Sequence, residues 1–389
     1  MTYDVARAEP TTAMRIGLNL LPAVPGIGGT WNYIAGLMSA LAERDGENEY
    51  VAFVTKASAP LVPDRPNFRR VEVSLRASSR PLRVAFENTV FRFVIAAQHL
   101  DCMHHLFGTL PFAGRIPTVV SVQDLMVFTR PKDFEPIKRV YLRVMRRRAA
   151  FRASVLAPMS QSTADHLTRQ FGVAGERMQV VPAAIGPEFT ARRVDETAAF
   201  RARLALPDAF WLYVSGAYPH KNHGRLIAAI AERARREPGG WPLVIRGEPT
   251  EELRALIAKG GVTDRVTFLP RLPDGDMPLL YSAATALISP SLFEGGGLPV
   301  MEAMACGCPV VASDIPTTRE FAASAALTFD PSSVGAIVDA MNECERSPAL
   351  RARLRDAGLV GAAKLGSSVL AAACLEAYRR AVNGSRPPT

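Results

Sequence analysis

The sequence predicts an α/β protein of two doubly wound parallel-sheet domains facing each other across a cleft, and three observations predict it. Short apolar runs alternate with stretches of helical periodicity along nearly the whole chain, which means mostly parallel sheets covered on both faces. The alternation pauses at a stretch rich in Pro, Gly and polar residues, 182–207, and then starts again. The chain has 389 residues, more than one hydrophobic core normally serves, so two domains are expected.

The first domain, residues 1–190, opens with an apolar strand at 14–21, a glycine turn Pro25-Gly-Ile-Gly-Gly29 and a helix at 31–41. Further strands are expected at 50–55, 118–122, 155–158 and 179–181. Residues 136–153 have Ile137, Val140, Tyr141, Val144 and Met145 on one face, with Lys138, Arg139, Arg143, Arg146, Arg147 and Arg148 elsewhere: a basic amphipathic helix. The second domain, residues 191–368, carries strands at 211–215, 243–246, 266–269, 286–289 and 309–312. Residues 369–389 form a last helix, 369–382, and a polar tail, and Arg379 and Arg380 suit the negative C-terminal pole of that helix. This helix is expected to cross back to the first domain.

Composition narrows the function. Hydrophobic residues at 48% and charged residues at 21% fit a soluble globular protein, and no uninterrupted apolar run reaches membrane-spanning length. The N-terminal segment, with Asp4, Arg7 and Glu9, lacks the pattern of a secretory signal, so a cytoplasmic location is expected. Cys102, Cys306, Cys308, Cys344 and Cys374 fit neither a disulfide framework nor a CxxC pair and read as buried reduced thiols. Of the net charge of +9, residues 1–190 contribute +7, from 23 Lys and Arg against 16 Asp and Glu. Such asymmetry points to an anionic partner. Nucleic acid is not expected, because the basic runs contain no recognisable reading motif. An anionic membrane surface is an open alternative to a solvated helix packed on a core: Arg76, Arg80, Arg83 and Arg92 lie beside Val84, Phe86, Phe91 and Phe93 in the same domain as the basic helix. The corresponding location is peripheral, on the inner face of the cytoplasmic membrane.

The most informative segment is Ser289-Pro-Ser-Leu-Phe-Glu-Gly-Gly-Gly-Leu-Pro-Val-Met-Glu-Ala-Met-Ala-Cys-Gly307, a strand end, a glycine loop and a helix. Gly295, Gly296 and Gly297 let backbone approach a ligand closely, and Pro299 suits the first helical position. The helix start points unsatisfied N–H groups and a positive dipole end at the loop, which makes an anion site. Glu294 and Glu302 flank it, where carboxylates accept hydrogen bonds from ligand hydroxyls. A phosphate between two hydroxyl-binding carboxylates describes a nucleotide-sugar. A glycosidase acid and nucleophile is the competing reading of the two carboxylates, and the phosphate loop between them argues against it. Gly26, Gly28 and Gly29 do not complete a dinucleotide fingerprint, since Trp31 stands at the third position. Asp274-Gly-Asp276 has metal-pair spacing but precedes a helical run at Met277, so helix-start acids are expected, with no metal and no cofactor.

Here the chain resembles the retaining glycosyltransferases of family 4, which have the GT-B fold of two Rossmann-like domains. Their E-x7-E motif is met by Glu294 and Glu302, with Gly-Leu-Pro between the two and Glu-Ala-Met-Ala-x-Gly starting at Glu302. The likeness extends through Gly28-Gly29, Pro117-Thr-Val-Val-Ser-Val-Gln-Asp-Leu125, Val180-Val-Pro182 and Leu212-Tyr-Val-Ser-Gly-Ala-Tyr-Pro-His-Lys-Asn222. The resemblance implies that Glu294 orients donor sugar hydroxyls, that Glu302 binds the ribose and that Lys221 neutralises the donor phosphates. Amides near Gly297 and Leu298 would cradle the diphosphate, while Gly28, Gly29 and Gly216 belong to the turns that line the donor. Gln123 and Asp124 take the acceptor side, with Gln123 where many members have His. Ala217 replaces a basic residue, for which Arg246 or Arg271 could stand in, and Gly296 replaces an aromatic.

The implied reaction moves a sugar, with mannose the leading expectation, from a nucleoside-diphosphate sugar to an acceptor hydroxyl with retention. The acceptor would be a glycan or a polyprenyl-diphosphate-linked chain in polysaccharide assembly. The rival reading is a non-catalytic nucleotide-sugar or carbohydrate-binding protein on the same scaffold.

Overall fold

The structure, a computed structural model, describes residues 13–25, 28–75, 79–112, 116–237 and 239–384. Gly26 of the first glycine turn and Arg76 lie outside these. The first domain runs β1 (Arg15–Asn19), α1 (Gly28–Arg44), β2 (Glu49–Val54), β3 (Phe68–Glu72), α2 (Arg80–Thr89), α3 (Phe91–Ala96), β4 (Cys102–His105) and β5 (Thr118–Val122). It continues through α4 (Met126–Thr129), α5 (Pro136–Arg152), β6 (Val155–Pro158) and α6 (Gln161–Phe171). The second runs α7 (Val194–Arg203), β7 (Trp211–Val214), α8 (His223–Arg236), β8 (Leu243–Arg246), α9 (Glu251–Lys259), β9 (Val266–Leu269), α10 (Met277–Ala283), β10 (Ala286–Ser289) and α11 (Leu298–Ala305). It closes with β11 (Val310–Ser313), α12 (Pro316–Phe321), β12 (Ala326–Phe329), α13 (Val334–Arg346), α14 (Pro348–Ala362) and α15 (Ser367–Asn383).

Each domain has one six-stranded parallel sheet, ordered β3-β2-β1-β4-β5-β6 and β12-β11-β10-β7-β8-β9. In both, the chain winds outward from a central strand, returns to that strand's other side and winds outward again. The reversal leaves a crevice at the C-terminal ends of β1 and β4, and another at those of β7 and β10, where α/β sheets bind ligands.

Four helices, α6, α9, α13 and α14, begin where a Ser or Thr side chain accepts from backbone. Ser160 caps α6 through the Thr163 N–H at 3.1 Å, and Ser347 caps α14 through the Leu350 N–H at 3.1 Å. Gly172, at φ 66°, ends α6 in the left-handed region. One apolar cluster runs from Leu18 and Tyr50 through Val181, Ala183 and Ile185 to Met301 and Val310, so burial is continuous from one domain into the other.

Four expectations are corrected. Residues 179–181 are not a strand, although the Gln179 and Val181 N–H groups donate to the Leu156 and Pro158 carbonyls, both at 2.9 Å. Pro158 and Pro182 have no N–H with which to extend that ladder. The Pro- and Gly-rich stretch contains a helix, α7, which packs on α10. Pro299 is the second helical residue of α11, not the first. The apolar face of α5 divides: Met145 turns inward with Ala149 and Ala150, whereas Ile137, Val140 and Val144 are exposed. Arg146, grouped in the sequence with the solvated cations, is buried.

The region Pro348–Asn383 also contains a window long and apolar enough, by composition, to cross a membrane. It consists of two helices that pack on different partners, α14 against α11 and α15 against α1. All five cysteines are buried and free. On the first domain, the α15 residue Tyr378 shares a hydrogen bond with His104 Nδ1 at 2.9 Å, and His104 Nε2 meets Ser121 Oγ at 2.8 Å. Burial lowers the His104 pKa to about 3, so this wholly buried contact is between neutral groups. Tyr378→Phe should therefore cost about 1–3 kcal/mol in equilibrium denaturation, the penalty for leaving a buried nitrogen unpaired; an unchanged denaturation midpoint would remove this contact from the set that holds α15.

Candidate active site

The β7/β10 crevice is built by two loops that brace each other. β7 leads through Gly216 to a single turn, Pro219–Lys221, and Asn222 then caps α8 in the left-handed region at φ 62°. The Tyr213 hydroxyl donates to the Lys221 carbonyl at 2.5 Å. Asn222 Nδ2 donates to the carbonyls of Pro290, at 3.0 Å, and Pro331, at 2.8 Å. In return, the Leu292 N–H donates to the His220 carbonyl at 2.8 Å. These bonds bring together two residues 73 positions apart: Lys221 Nζ donates to Glu294 Oε1 at 2.6 Å, with each side chain 15% exposed. The Thr317 hydroxyl fixes the loop from below by donating to the Glu294 carbonyl at 2.8 Å.

Past Glu294 the loop needs glycine for two different reasons. Gly297 has φ 63°, a left-handed conformation that suits glycine, and caps α11 by accepting from the Val300 N–H at 2.9 Å. Gly295 passes so close to the first domain that a Cβ there would stand 2.2 Å from the Gln123 carbonyl oxygen. A Cβ on Gly296 would meet the Met159 thioether at 2.4 Å, which explains why no aromatic fits at this position. Gly28 and Gly29 form the first turn of α1, and a Cβ on Gly29 would lie 3.8 Å from Leu298, so the starts of α1 and α11 meet. Gly216 lies under the Tyr218 ring.

Glu302 sits one turn into α11, 7% exposed, and its Oε2 accepts from the Tyr281 hydroxyl at 2.7 Å. Burial raises its pKa from an ordinary 4.5 to about 7, Glu188 adds to the rise, and Tyr281 and Arg246 oppose it. Arg246, at the end of β8, is thus within electrostatic reach of Glu302, and its Nε is buried without a hydrogen-bond partner.

Across the cleft, Gln123 and Asp124 follow β5 and face Gly295. Gln123 Nε2 donates to the Leu106 carbonyl, which anchors the loop to the wall of its own domain. Asp124 Oδ1 accepts from the Met126 N–H at 2.8 Å and from Arg146 Nη1 at 2.9 Å. Burial works to raise the Asp124 carboxyl, but Arg146 and these hydrogen bonds outweigh it and hold the group below the usual carboxylate range.

His220 joins the site, although no motif in the sequence marks it. Burial, then Lys221, lower its pKa, against Glu294, Asp124 and Asp133, so the ring is neutral at pH 7, and its Nδ1 is buried without a partner. The available signal was its place beside Lys221 in the turn after β7. Among the described residues, no three His, Cys, Asp or Glu side chains converge as metal ligands would. Asp276 pairs with Arg203 at 2.7 Å.

Residues 28–184 match the model of a glycosyl transferase 4-like domain, and residues 195–359 match that of glycosyl transferases group 1. The chain is 29% identical over 224 residues to O-antigen chain mannosyltransferase B of Escherichia coli, covering 56% of this chain and 58% of that protein. It is 34% identical over 240 residues to a D-inositol 3-phosphate glycosyltransferase of Frankia alni, covering 57% and 58%. The matched region spans somewhat under two thirds of these relatives.

Among solved structures, sucrose-phosphate synthase from Thermosynechococcus elongatus superposes with a TM-score of 0.76 at 22% identity, over 94% of this chain and 98% of that one. WaaG, a glycosyltransferase involved in lipopolysaccharide biosynthesis, gives 0.73 at 18% identity, over 92% and 99%. Two six-stranded parallel-sheet domains closed over a shared crevice define the GT-B fold. The two domain matches together take in most of the chain and place it among the glycosyltransferases of that fold.

Two substitutions test the geometry. Gly295→Ala should lower turnover far more than Gly296→Ala, because the first would displace backbone and the second only the end of a flexible side chain; equal rates for both would show that the loop does not work at this close approach. Glu302 holds its proton to higher pH in the folded chain than in the unfolded one, so its contribution makes stability fall as pH rises from about 4.5 to about 7. Glu302→Gln should therefore raise the melting temperature at pH 8 relative to wild type and change it little at pH 4; a destabilisation at pH 8 would contradict the raised pKa.

Proposed function

We propose that the chain transfers a sugar from a nucleoside diphosphate to an acceptor hydroxyl with retention of configuration, through the Lys221–Glu294 pair and the α11 N-terminus. The observation that carries this reading is the pair itself, held beside an anion-binding helix start at the crevice of the second sheet. An entering diphosphate takes over the Lys221 ammonium and frees the Glu294 carboxylate to accept from sugar hydroxyls. Glu302 accepts from the ribose, and the N–H groups near Gly297 and Leu298 receive phosphate oxygens.

As the bond from the anomeric carbon to phosphate oxygen breaks, negative charge grows on the leaving diphosphate, where Lys221 and the helix end stabilise it. The acceptor oxygen bonds to the same face of the anomeric carbon and gives its proton to a phosphate oxygen of the leaving group. No protein nucleophile is needed. Relatives named as O-antigen chain mannosyltransferases support mannose as the sugar and a growing polysaccharide as the acceptor; attachment of that chain to a lipid is part of the proposal.

Nucleotide-sugars offered with lipid-linked glycan acceptors test the reading. Glu294→Ala should abolish transfer in a protein that stays folded, and Lys221→Ala should cost about 2–4 kcal/mol of transition-state stabilisation. A Lys221→Ala rate within about threefold of wild type would end that role. Donor binding without transfer to any acceptor would favour a carbohydrate-binding protein instead.

A further inference from the structure

We propose that the face formed by α2, α3, Phe112 and α5 docks the protein on a bilayer containing anionic phospholipid. Among the described residues, eight of the thirteen large exposed hydrophobics fall between positions 82 and 151, so exposed apolar surface is concentrated on one part of one domain. In α5 they form a single stripe: Ile137, Val140, Val144 and Phe151 follow one another at intervals of three, four and seven residues, with Ile137 86% exposed. Seven of the seventeen residues of α5 are Lys or Arg and none is acidic. Exposed Lys138, Arg143, Arg147 and Arg152 therefore flank the stripe with one sign of charge. The nearest acids stand before the helix, as Glu135 and as Asp133, which pairs with Arg130 at 2.7 Å.

The patch continues beyond the helix. The Arg148 guanidinium lies 4.1 Å from the centre of the exposed Phe112 ring, and the Phe112 N–H donates to Asn88 of α2 at 3.1 Å. Leu82, Val90 and Phe93 extend the apolar surface along α2 and α3, with Arg92 4.7 Å over Phe93. The one acid of these two helices, Glu87, is buried against Asn19 and Arg83 and adds no negative charge to the face. Aliphatic and aromatic tips with cations resting on the rings suit a headgroup layer: the tips pass below the phosphates while Lys and Arg heads reach back to them. A charge excess of +7 in residues 1–190, against +2 in 191–389, gives the attraction.

The inference goes beyond the transfer reading and does not depend on it. It does link the two places, because α5 also carries Arg146, which holds Asp124 in the cleft. Docking would thus fix the height of the acceptor side above the bilayer.

The test is sedimentation of the full chain with phosphatidylcholine vesicles, with and without phosphatidylglycerol, at low and high salt. Wild type should pellet with the mixed vesicles at low salt, and neither with neutral vesicles nor at high salt. Lys138→Glu with Arg147→Glu should weaken partitioning by more than about tenfold, since each basic residue near the surface contributes about fivefold. Ile137→Ser with Val144→Ser should also weaken it, while circular dichroism and nucleotide-sugar binding stay as in wild type. Equal partitioning of wild type and both variants would overturn the proposal. So would a concentration-dependent dimer that Ile137→Ser breaks and that ignores vesicles, which would assign the face to a second copy of the chain.

Discussion

The ion pair between Lys221 and Glu294 is the contact on which the candidate site depends. Both partners are largely withdrawn from water, and the desolvation cost of such a pair commonly rivals its Coulombic gain. Stability alone is a weak reason to keep it. It is held instead by neighbours that fix both loops: Tyr213 on the Lys221 carbonyl, Asn222 on Pro290, the His220 carbonyl on Leu292 and Thr317 on the Glu294 carbonyl. A cation positioned in this way needs little reorganisation when an anion arrives, which is the condition for strong electrostatic stabilisation.

The second constraint is contact between the domains. The Glu320 carboxylate of α12 accepts from the Gln161 N–H at 2.7 Å and the Ser162 N–H at 3.0 Å, so an acid of one domain meets the positive N-terminus of α6 in the other. Together with the apposition of Gly295 on Gln123 and the continuous apolar cluster, this places the glycine loop directly against the β5 loop. α15 completes the arrangement by returning to the first domain, where Arg380 Nη1 donates to the Met178 carbonyl at 2.9 Å. The chain therefore crosses between domains twice, once beside 182–193 and once beside 363–366, and the two crossings are tied by the Ile185 N–H on the Leu365 carbonyl at 2.9 Å.

Much of this was legible in the sequence, and the exceptions have physical reasons. Strands such as β5, β6, β8, β9 and β10 are short, apolar and bounded by turn residues, so their limits could be read directly. β3 is Phe-Arg-Arg-Val-Glu at a sheet edge, where only one face must be apolar, and β4 is Cys-Met-His-His, whose histidines count as polar until burial makes them neutral. β12 is as faint in the sequence as β3 for the same reason, being an edge strand with partly exposed side chains. In the candidate site, the glycine loop announces itself because it needs unusual residues in a row. Arg146 does not, since what matters about it is a partner 22 positions away, Asp124, and neither does His220, since the carboxylates near it, Glu294 and Asp124, come from other loops. A run of three arginines carries no mark of which one turns inward.

The distribution of charge separates two tasks. The anionic donor proposed for the second domain would meet local cations, Lys221 beside Glu294 and Arg246 near Glu302, within a domain whose excess is only +2. The larger excess of the first domain lies mostly on exposed side chains of α5 and its neighbours. At physiological ionic strength exposed charges are screened over about 8 Å, so cations on an outer helix face exert little force on a ligand held between the domains. What those cations attract must come up to the face itself. Arg146 is the exception that marks the boundary: it leaves the exposed set, enters the protein and pairs with Asp124, so that one helix presents charge outward along most of its length and spends a single charge on the wall of the cleft.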